Sequence, residues 1–318
     1  MVYLAKRKGS FLAMLEKSRC PHCPDHPVDV ILDTDAYNEI DDQFAIAYML
    51  RAPEKLRVRA LCAAPFFNAK SAGPADGMEK SYQEILKVLR LAGAEELVPR
   101  TYRGSQTYLP DEKTPVESEA ARKIVEIAGD YTPENPLYLV AIGAITNVAS
   151  ALLMDPELSS RIVIVWLGGH AYHWPENGEF NLQQDVAAAR VVFGCGAPLV
   201  QLPCCGVVDA LRTTAPELIH WLRGKNALCD YLCGNTIAEA DAYAKGKPWS
   251  RVIWDVSAIA WLLNDSGRLL SDRAEHSPIP QYDHHYSFDP RRPEICYVWN
   301  INRDAVFEDL FRRLAGEN

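Results

Sequence analysis

The sequence predicts an α/β fold, with an open, mostly parallel sheet and helices on both faces. Short apolar runs rich in β-branched residues alternate along the chain with stretches of helical periodicity. These runs, such as residues 137–142 and 162–167, are continuously apolar, which is typical of strands buried on both faces. We find no internal repeat and no low-complexity linker, so residues 28–318 are predicted to form a single doubly wound domain.

The apolar runs predict the strands, and the stretches of helical periodicity predict the helices. The predicted strands are residues 28–32, 56–64, 137–142, 161–167, 198–202 and 295–299. The predicted helices are residues 44–50, 81–91, 117–128, 147 onward, 185–193, 215–233 and 255 onward. Residues 245–254 are predicted to be a loop. Residues 1–27 are predicted to be a leader, a short amphipathic helix followed by a turn, that packs on the edge of the core.

Composition excludes several classes of protein. The chain has 318 residues and a formal net charge of −9, and it has no basic stripe for nucleic acid or anionic membranes. No apolar run approaches the roughly 20 residues of a membrane span. Nine cysteines scattered over so long a chain favour free thiols in a reducing cytoplasm. Cys20 and Cys23 have zinc-like spacing, but no second pair accompanies them.

Residues 28–50 carry the strongest local signal. A predicted strand ends in Asp33 and Asp35, and Asp41 and Asp42 open the next helix. Four carboxylates this close together repel one another unless a cation neutralises them, and a hard divalent cation suits oxygen ligands. The ordinary alternative is that they cap the helix and form a solvated turn.

Other polar residues follow other predicted strands and would meet these aspartates along one edge of the sheet. They are Asn68, the Ile142–Gly143 pair, the loop 168–181 and Asp255. Each has an ordinary explanation by itself, as a turn residue or a helix cap. Their order and spacing, rather than any one residue, indicate a functional site.

That order resembles the nucleoside hydrolase family, as a divergent member. The matching residues span about 28–264 and are the two aspartate pairs, Asn68, Gly143–Asn147, Leu167–Gly169, Glu179–Asn181 with Asp185, and Asp255. The resemblance implies an N-glycosidase that acts on a small-molecule nucleoside or other riboside. It also implies a homodimer or homotetramer.

The resemblance further implies one calcium ion, bound by the carboxylates of Asp35, Asp42 and Asp255 and the main-chain carbonyl of Ile142. Asp35 would take a proton from the attacking water. The implied ligands of the sugar hydroxyls are Asp41, Asn68, Glu179 and Asn181.

Two departures from the family pattern affect the site. Five residues separate Asp35 from Asp41, more than is usual in the family, so Asn38 or Glu39 could replace one expected contact. Trp254 stands where many members carry a histidine before the last aspartate, which looks like the purine-preferring branch.

An indole cannot act as an acid at neutral pH, but it can stack on a purine and stabilise its cationic form. We therefore expect a purine preference, with His173 beside the base. The alternative is that Trp254 is a core aromatic. Further candidates around the base, or as rival acids, are Tyr172, Trp174, His284, His285 and the segment 282–286.

Two other functions remain open from the sequence. The first is a phosphatase of the haloacid dehalogenase type, which also begins with a strand and an Asp-x-Asp such as Asp33–Asp35. The second is a calcium-dependent nucleoside or sugar binder that has lost turnover.

Overall fold

The fold is described here from a computed structural model covering residues 20–317. Its centre is an eight-stranded sheet in the order β3-β2-β1-β4-β5-β6-β12-β9. Seven of these strands run parallel, and β9 at one edge pairs antiparallel with β12. The strands of this sheet are β1 (Val28–Thr34), β2 (Leu56–Ala63), β3 (Thr101–Arg103), β4 (Leu137–Ala141), β5 (Ile162–Leu167), β6 (Leu199–Leu202), β9 (Leu270–His276) and β12 (Glu294–Ile301).

The remaining strands form two small two-stranded sheets. They pair β7 (Arg212–Thr213) with β8 (Arg251–Val252), and β10 (Ile279–Pro280) with β11 (Tyr286–Ser287). The α-helices are α1 (Asp42–Leu50), α2 (Pro74–Ala92), α3 (Glu119–Ala128), α4 (Thr146–Met154), α5 (Phe180–Gln184), α6 (Val186–Gly194), α7 (Ala215–Leu222), α8 (Ala227–Ala244), α9 (Val256–Leu262) and α10 (Arg303–Ala315).

Helices cover both faces of the sheet, as the sequence predicts. Side chains alternate across β1, so Val30 and Leu32 pack in one apolar cluster with α1, α9 and α10. Ile31 packs in a second cluster with α3, α4 and α6. Because apolar side chains cover both faces of the sheet, a polar binding site is expected at the ends of the strands.

The structure differs from the predicted elements at several places, and strand β3, strand β8 within the predicted loop 245–254, and helix α10 were not predicted. Helix α2 begins at Pro74 rather than residue 81, since proline is well accommodated in a first turn. The helix predicted over 215–233 is two helices, separated by a turn in which Gly224 has a φ of 78°. The edge strand β9 is absent from the prediction because its alternating polar sequence has no continuous apolar run.

Residues 1–19 of the predicted leader lie outside the described residues, and the proposed helix falls there. In the part that is described, Cys20 is buried in the first apolar cluster and contacts Cys296. The Cys23 thiol lies 3.7 Å from the carbonyl oxygen of Leu262. Cys20 and Cys23 therefore have different neighbours. None of the described helices combines the length and the apolar character needed to cross a membrane.

Candidate active site

A cavity of about 190 Å³ opens at the carboxyl edge of the sheet. The acidic loop (residues 35–41), the ends of β4 and β5, and the start of α9 contribute its walls. The lining residues are Asp35, Asn38, Glu39, Asp41, Asp42, Ile142, Leu167, His170, Glu179, Phe180, Asn181, Cys204, Cys205, Trp254 and Asp255. Most of the residues predicted from sequence therefore meet in one place.

Local hydrogen bonds hold the acidic loop in shape. The N–H of Asn38 donates to the carbonyl of Asp35 at 2.7 Å, which closes a turn. The side-chain amide of Gln43, on the first turn of α1, donates to the carbonyls of Ala36 and Glu39 at 2.7 and 3.3 Å. The longer loop is thus an ordered part of the cavity wall.

The aspartates that precede α1 and α9 do not cap these helices. Asp41 and Asp255 occupy the N-cap positions, yet neither side chain accepts a capping hydrogen bond. Ser118 and Asp185, at the corresponding positions of α3 and α6, do accept one. The alternative explanation, that the acidic residues serve as caps, therefore fails for Asp41 and Asp255.

Three carboxylates converge instead. Asp41, Asp42 and Asp255 are all buried, and each offers an oxygen within 4.8 Å of the others. Burial raises the pKa of all three, that of Asp42 to about 7. Repulsion from Asp41, Asp42 and Asp35 adds to the effect at Asp255, whereas Arg251 lowers the pKa of Asp41. The mutual repulsion of these carboxylates is therefore only partly offset by positive charge.

Asp35 stands beside this cluster and has one unpartnered oxygen. Its side chain is buried, and no described group donates a hydrogen bond to Oδ2. Burial, followed by repulsion from Asp42 and Asp41, raises its pKa. Gly143 allows the carboxylate to fit here, since a Cβ at that position would lie 3.0 Å from Asp35 Oδ1.

This donor set fits a hard divalent cation. Four buried carboxylates that repel one another, and an orphaned oxygen among them, would be neutralised by an ion that prefers oxygen ligands. Ile142 lines the same cavity, and its carbonyl accepts from the side-chain amide of Asn181 at 3.3 Å. The grouping differs from the predicted one, because Asp41 rather than Asp35 lies with Asp42 and Asp255.

Glu179 and Asn181 line the cavity as predicted, and Glu179 is firmly anchored. Its carboxylate accepts backbone N–H groups from Gly169, Asn181 and Leu182, each at 2.9 Å. The Asn181 amide also donates to the carbonyl of Leu167 at 3.1 Å. Both side chains are held by the main chain around them, which gives the cavity polar groups in defined positions.

Asn68 takes a supporting position. Its Nδ2 donates to Asn38 Oδ1 at 2.6 Å, and its Oδ1 accepts the N–H of Lys70 at 2.8 Å. Asn38 lines the cavity, while Asn68 is not among the lining residues. The longer acidic loop therefore places Asn38 between Asn68 and the cavity.

Trp254 is partly buried and lines the cavity beside Asp255. The predicted His173 is exposed and is not among the lining residues, and neither are Tyr172, Trp174 or residues 282–286. The histidine in the wall is His170, which the sequence analysis missed. The signal for it was its position directly after the glycine pair that ends β5.

Two further predicted motif residues support the site from outside it. Asn147 donates from Nδ2 to Asp33 at 2.8 Å and accepts the N–H of Ser105 at 2.8 Å, which ties β1 to a neighbouring loop. Asp33 itself does not line the cavity. The phosphatase alternative needs Asp33 and Asp35 in one site, so the structure does not support it.

Comparison with known proteins agrees with this geometry. A family model described as inosine-uridine preferring nucleoside hydrolase matches residues 30–305. A pyrimidine-specific ribonucleoside hydrolase, RihA of Klebsiella pneumoniae, is 26% identical over 314 residues, covering 86% of this chain and 95% of the relative. A non-specific ribonucleoside hydrolase, RihC of Salmonella paratyphi B, is 29% identical over 258 residues, covering 74% of this chain and 78% of the relative.

Solved structures share the fold. A purine-preferring ribonucleoside hydrolase from Gardnerella vaginalis superposes with a TM-score of 0.72 at 19% identity, covering 91% of this chain and 98% of that one. The relatives' names therefore cover pyrimidine-specific, non-specific and purine-preferring enzymes.

Proposed function

Because this chain belongs to the inosine-uridine preferring nucleoside hydrolase family and is an N-glycosidase, we propose that it hydrolyses a ribonucleoside to free base and ribose with a bound calcium ion. One observation carries the proposal. The cluster of Asp41, Asp42 and Asp255 lies in one cavity with the unpartnered oxygen of Asp35.

Asp35 would act as the general base. In the reaction, a water oxygen bonds to C1′ of the ribose, the C1′–N bond breaks, and the base leaves with the bonding electrons and gains a proton. Oδ2 of Asp35 is free to accept the proton that the attacking water loses. Its raised pKa suits that exchange better than the pKa of an ordinary exposed carboxylate.

Asp42 and Asp255, with Asp41 or Asp35 and the carbonyl of Ile142, would hold the calcium ion. When bound, the ion supplies a water with a lowered pKa and a fixed position. The same carboxylates also favour the oxocarbenium-like state of the sugar, because positive charge develops beside their negative charge.

The hydroxyls of the ribose would bind to anchored polar groups in the cavity wall. Asn38, Glu179 and Asn181 line the cavity and offer both donors and acceptors. Asp41 adds a further acceptor, and Asn68 keeps Asn38 in place. A neutral sugar needs several such contacts, since each hydroxyl loses water on binding.

Trp254 is the basis for a proposed preference for purines. Its indole is part of the cavity wall and next to the proposed ligand Asp255. Stacking on a purine would stabilise the protonated base as it leaves. A pyrimidine would be stabilised less by the same contact. We further propose that the protein is cytoplasmic, in line with nine cysteines of which none forms a disulfide within the described residues. We also propose a homodimer or homotetramer, to be checked by light scattering on the purified protein.

The test is a panel of ribosides with free ribose as the readout, on protein whose metal content is measured. We expect release of ribose from inosine, no hydrolysis of 4-nitrophenyl phosphate, and loss of activity on chelation with recovery on adding calcium. Retained activity in a metal-free protein would contradict the calcium proposal. Tight binding of nucleosides with no ribose released would instead indicate a binder that has lost turnover.

A further inference from the structure

His170 has a place in the cavity that the sequence motifs do not explain. Its side chain is only 10% exposed and lines the cavity together with Asp35, Trp254 and Asp255. The backbone around it is held tightly. Gly169 has a φ of 76°, which turns the chain after β5, and the N–H of His170 donates to Asn177 Oδ1 at 2.7 Å.

The neighbours of the ring define which nitrogen carries the proton. The backbone N–H of Cys205 lies 3.2 Å from Nδ1 and can only donate, so Nδ1 must present its lone pair. The neutral ring is therefore the tautomer with its proton on Nε2. His170 is a hydrogen-bond donor at Nε2.

The Nε2–H group has no hydrogen-bond acceptor within the described part of the chain. The nearest carboxylate oxygen, Oε1 of Glu176, is 3.7 Å away, which is too far for a hydrogen bond. The other oxygen of Glu176 accepts the N–H of Gly178, so this carboxylate is engaged in its own turn. Trp174 packs beside the imidazole, with ring centroids 6.0 Å apart.

We propose that His170 donates its Nε2–H to an acceptor atom on the leaving base, which makes it a specificity-determining residue of the riboside site. This inference rests on the proposed hydrolase function. As the bond to C1′ weakens, its electrons move onto the base, and a hydrogen-bond donor on the cavity wall favours that charge. The substrates are thus ribosides whose aglycone carries an exposed ring nitrogen or carbonyl oxygen.

The role is hydrogen bonding and not proton transfer. A neutral imidazole that gave up its Nε2 proton would become an anion, and its Nδ1 lone pair already accepts the Cys205 N–H. The proton that the base needs would come from water. In this site the indole of Trp254 and the imidazole of His170 would act on the base without either being an acid.

The experiment compares the parent with His170→Phe and His170→Gln, on inosine and on 4-nitrophenyl β-D-riboside. The second substrate leaves as a stable anion and needs little help. Phenylalanine keeps a ring without a donor, and glutamine restores an N–H near the Nε2 position. His220→Phe, on the exposed face of α7, is the matched control.

We expect His170→Phe to lower kcat/KM for inosine about tenfold, as the loss of one hydrogen bond predicts, and to affect the nitrophenyl riboside far less. His170→Gln should recover most of the loss and keep the pH profile of the parent. Equal losses on both substrates, no loss on inosine, or a changed acid limb in His170→Gln would each overturn the proposal. If the parent releases ribose from neither substrate, the hydrolase function itself fails.

Discussion

Two kinds of buried aspartate precede helices in this protein, and their surroundings are opposite. Asp185, before α6, uses both oxygens: Oδ1 accepts the N–H of Ala188 at 2.9 Å, and Oδ2 accepts from Leu109 N–H at 2.9 Å and Thr146 Oγ1 at 2.7 Å. Asp41 and Asp255, before α1 and α9, make no capping bond and lie against other carboxylates.

The difference separates scaffold from site. Burial raises the pKa of Asp185, but three donors oppose that rise, so its charge is accommodated by the fold. At Asp255 burial and three neighbouring carboxylates all raise the pKa. Buried like charges cost stability, so the cluster is stable as a set of anions only with a cation.

The largest effect is expected at the cluster. Asp42→Ala should remove calcium from the purified protein and reduce hydrolysis to background, because it deletes one of the three converging ligands. Elemental analysis, activity and circular dichroism measure the outcome. The fold should remain, since the substitution also relieves repulsion; full metal content with full activity would show that the cluster is not the metal site.

Asp35→Asn should lower kcat by about 10²–10⁴-fold, the usual contribution of a general base. KM should change little, because the amide keeps the size and an oxygen of the side chain. Steady-state kinetics on inosine measure both. A variant that loses affinity while it keeps turnover would assign Asp35 to binding instead.

Asp185→Asn should affect stability and leave the metal in place. An amide here would direct an NH₂ group at donors that now reach a carboxylate oxygen, a loss of about 1–3 kcal/mol in the free energy of unfolding. Urea unfolding of the chelated protein measures the free energy of unfolding. The control is the metal content of the variant before chelation. Unchanged stability would mean that the contrast between the two kinds of aspartate is not energetic.

Trp254→Ala should have the smallest effect, on specificity. Loss of stacking is worth about 0.5–1.5 kcal/mol, so the ratio of kcat/KM for inosine over uridine should fall roughly threefold to tenfold. A higher rate on uridine than on inosine in the parent, or an unchanged ratio in the variant, would reject stacking as the source of preference.

The sequence by itself determined six of the eight strands of the sheet, most of the helices and the expectation that polar residues meet at one edge. β1, the acidic loop and α1 were predictable because β-branched apolar runs and helical periodicity are local properties of the chain. The order of motifs from Asp33 to Asp255 also identified the family, as the match over residues 30–305 confirms.

Only the tertiary structure decided which polar side chains line the cavity. Asp33 and Asp35 stand two residues apart and each has one unpartnered oxygen, yet only Asp35 lines the cavity, while Asp33 accepts from Asn147 on α4 outside it. Likewise His170 lines the cavity and His173 does not, because the turn at Gly169 and the N–H of Cys205 direct that ring. Hydrogen-bond partners come from segments distant in sequence, so no local pattern encodes whether a buried carboxylate or imidazole belongs to the scaffold or to the chemistry.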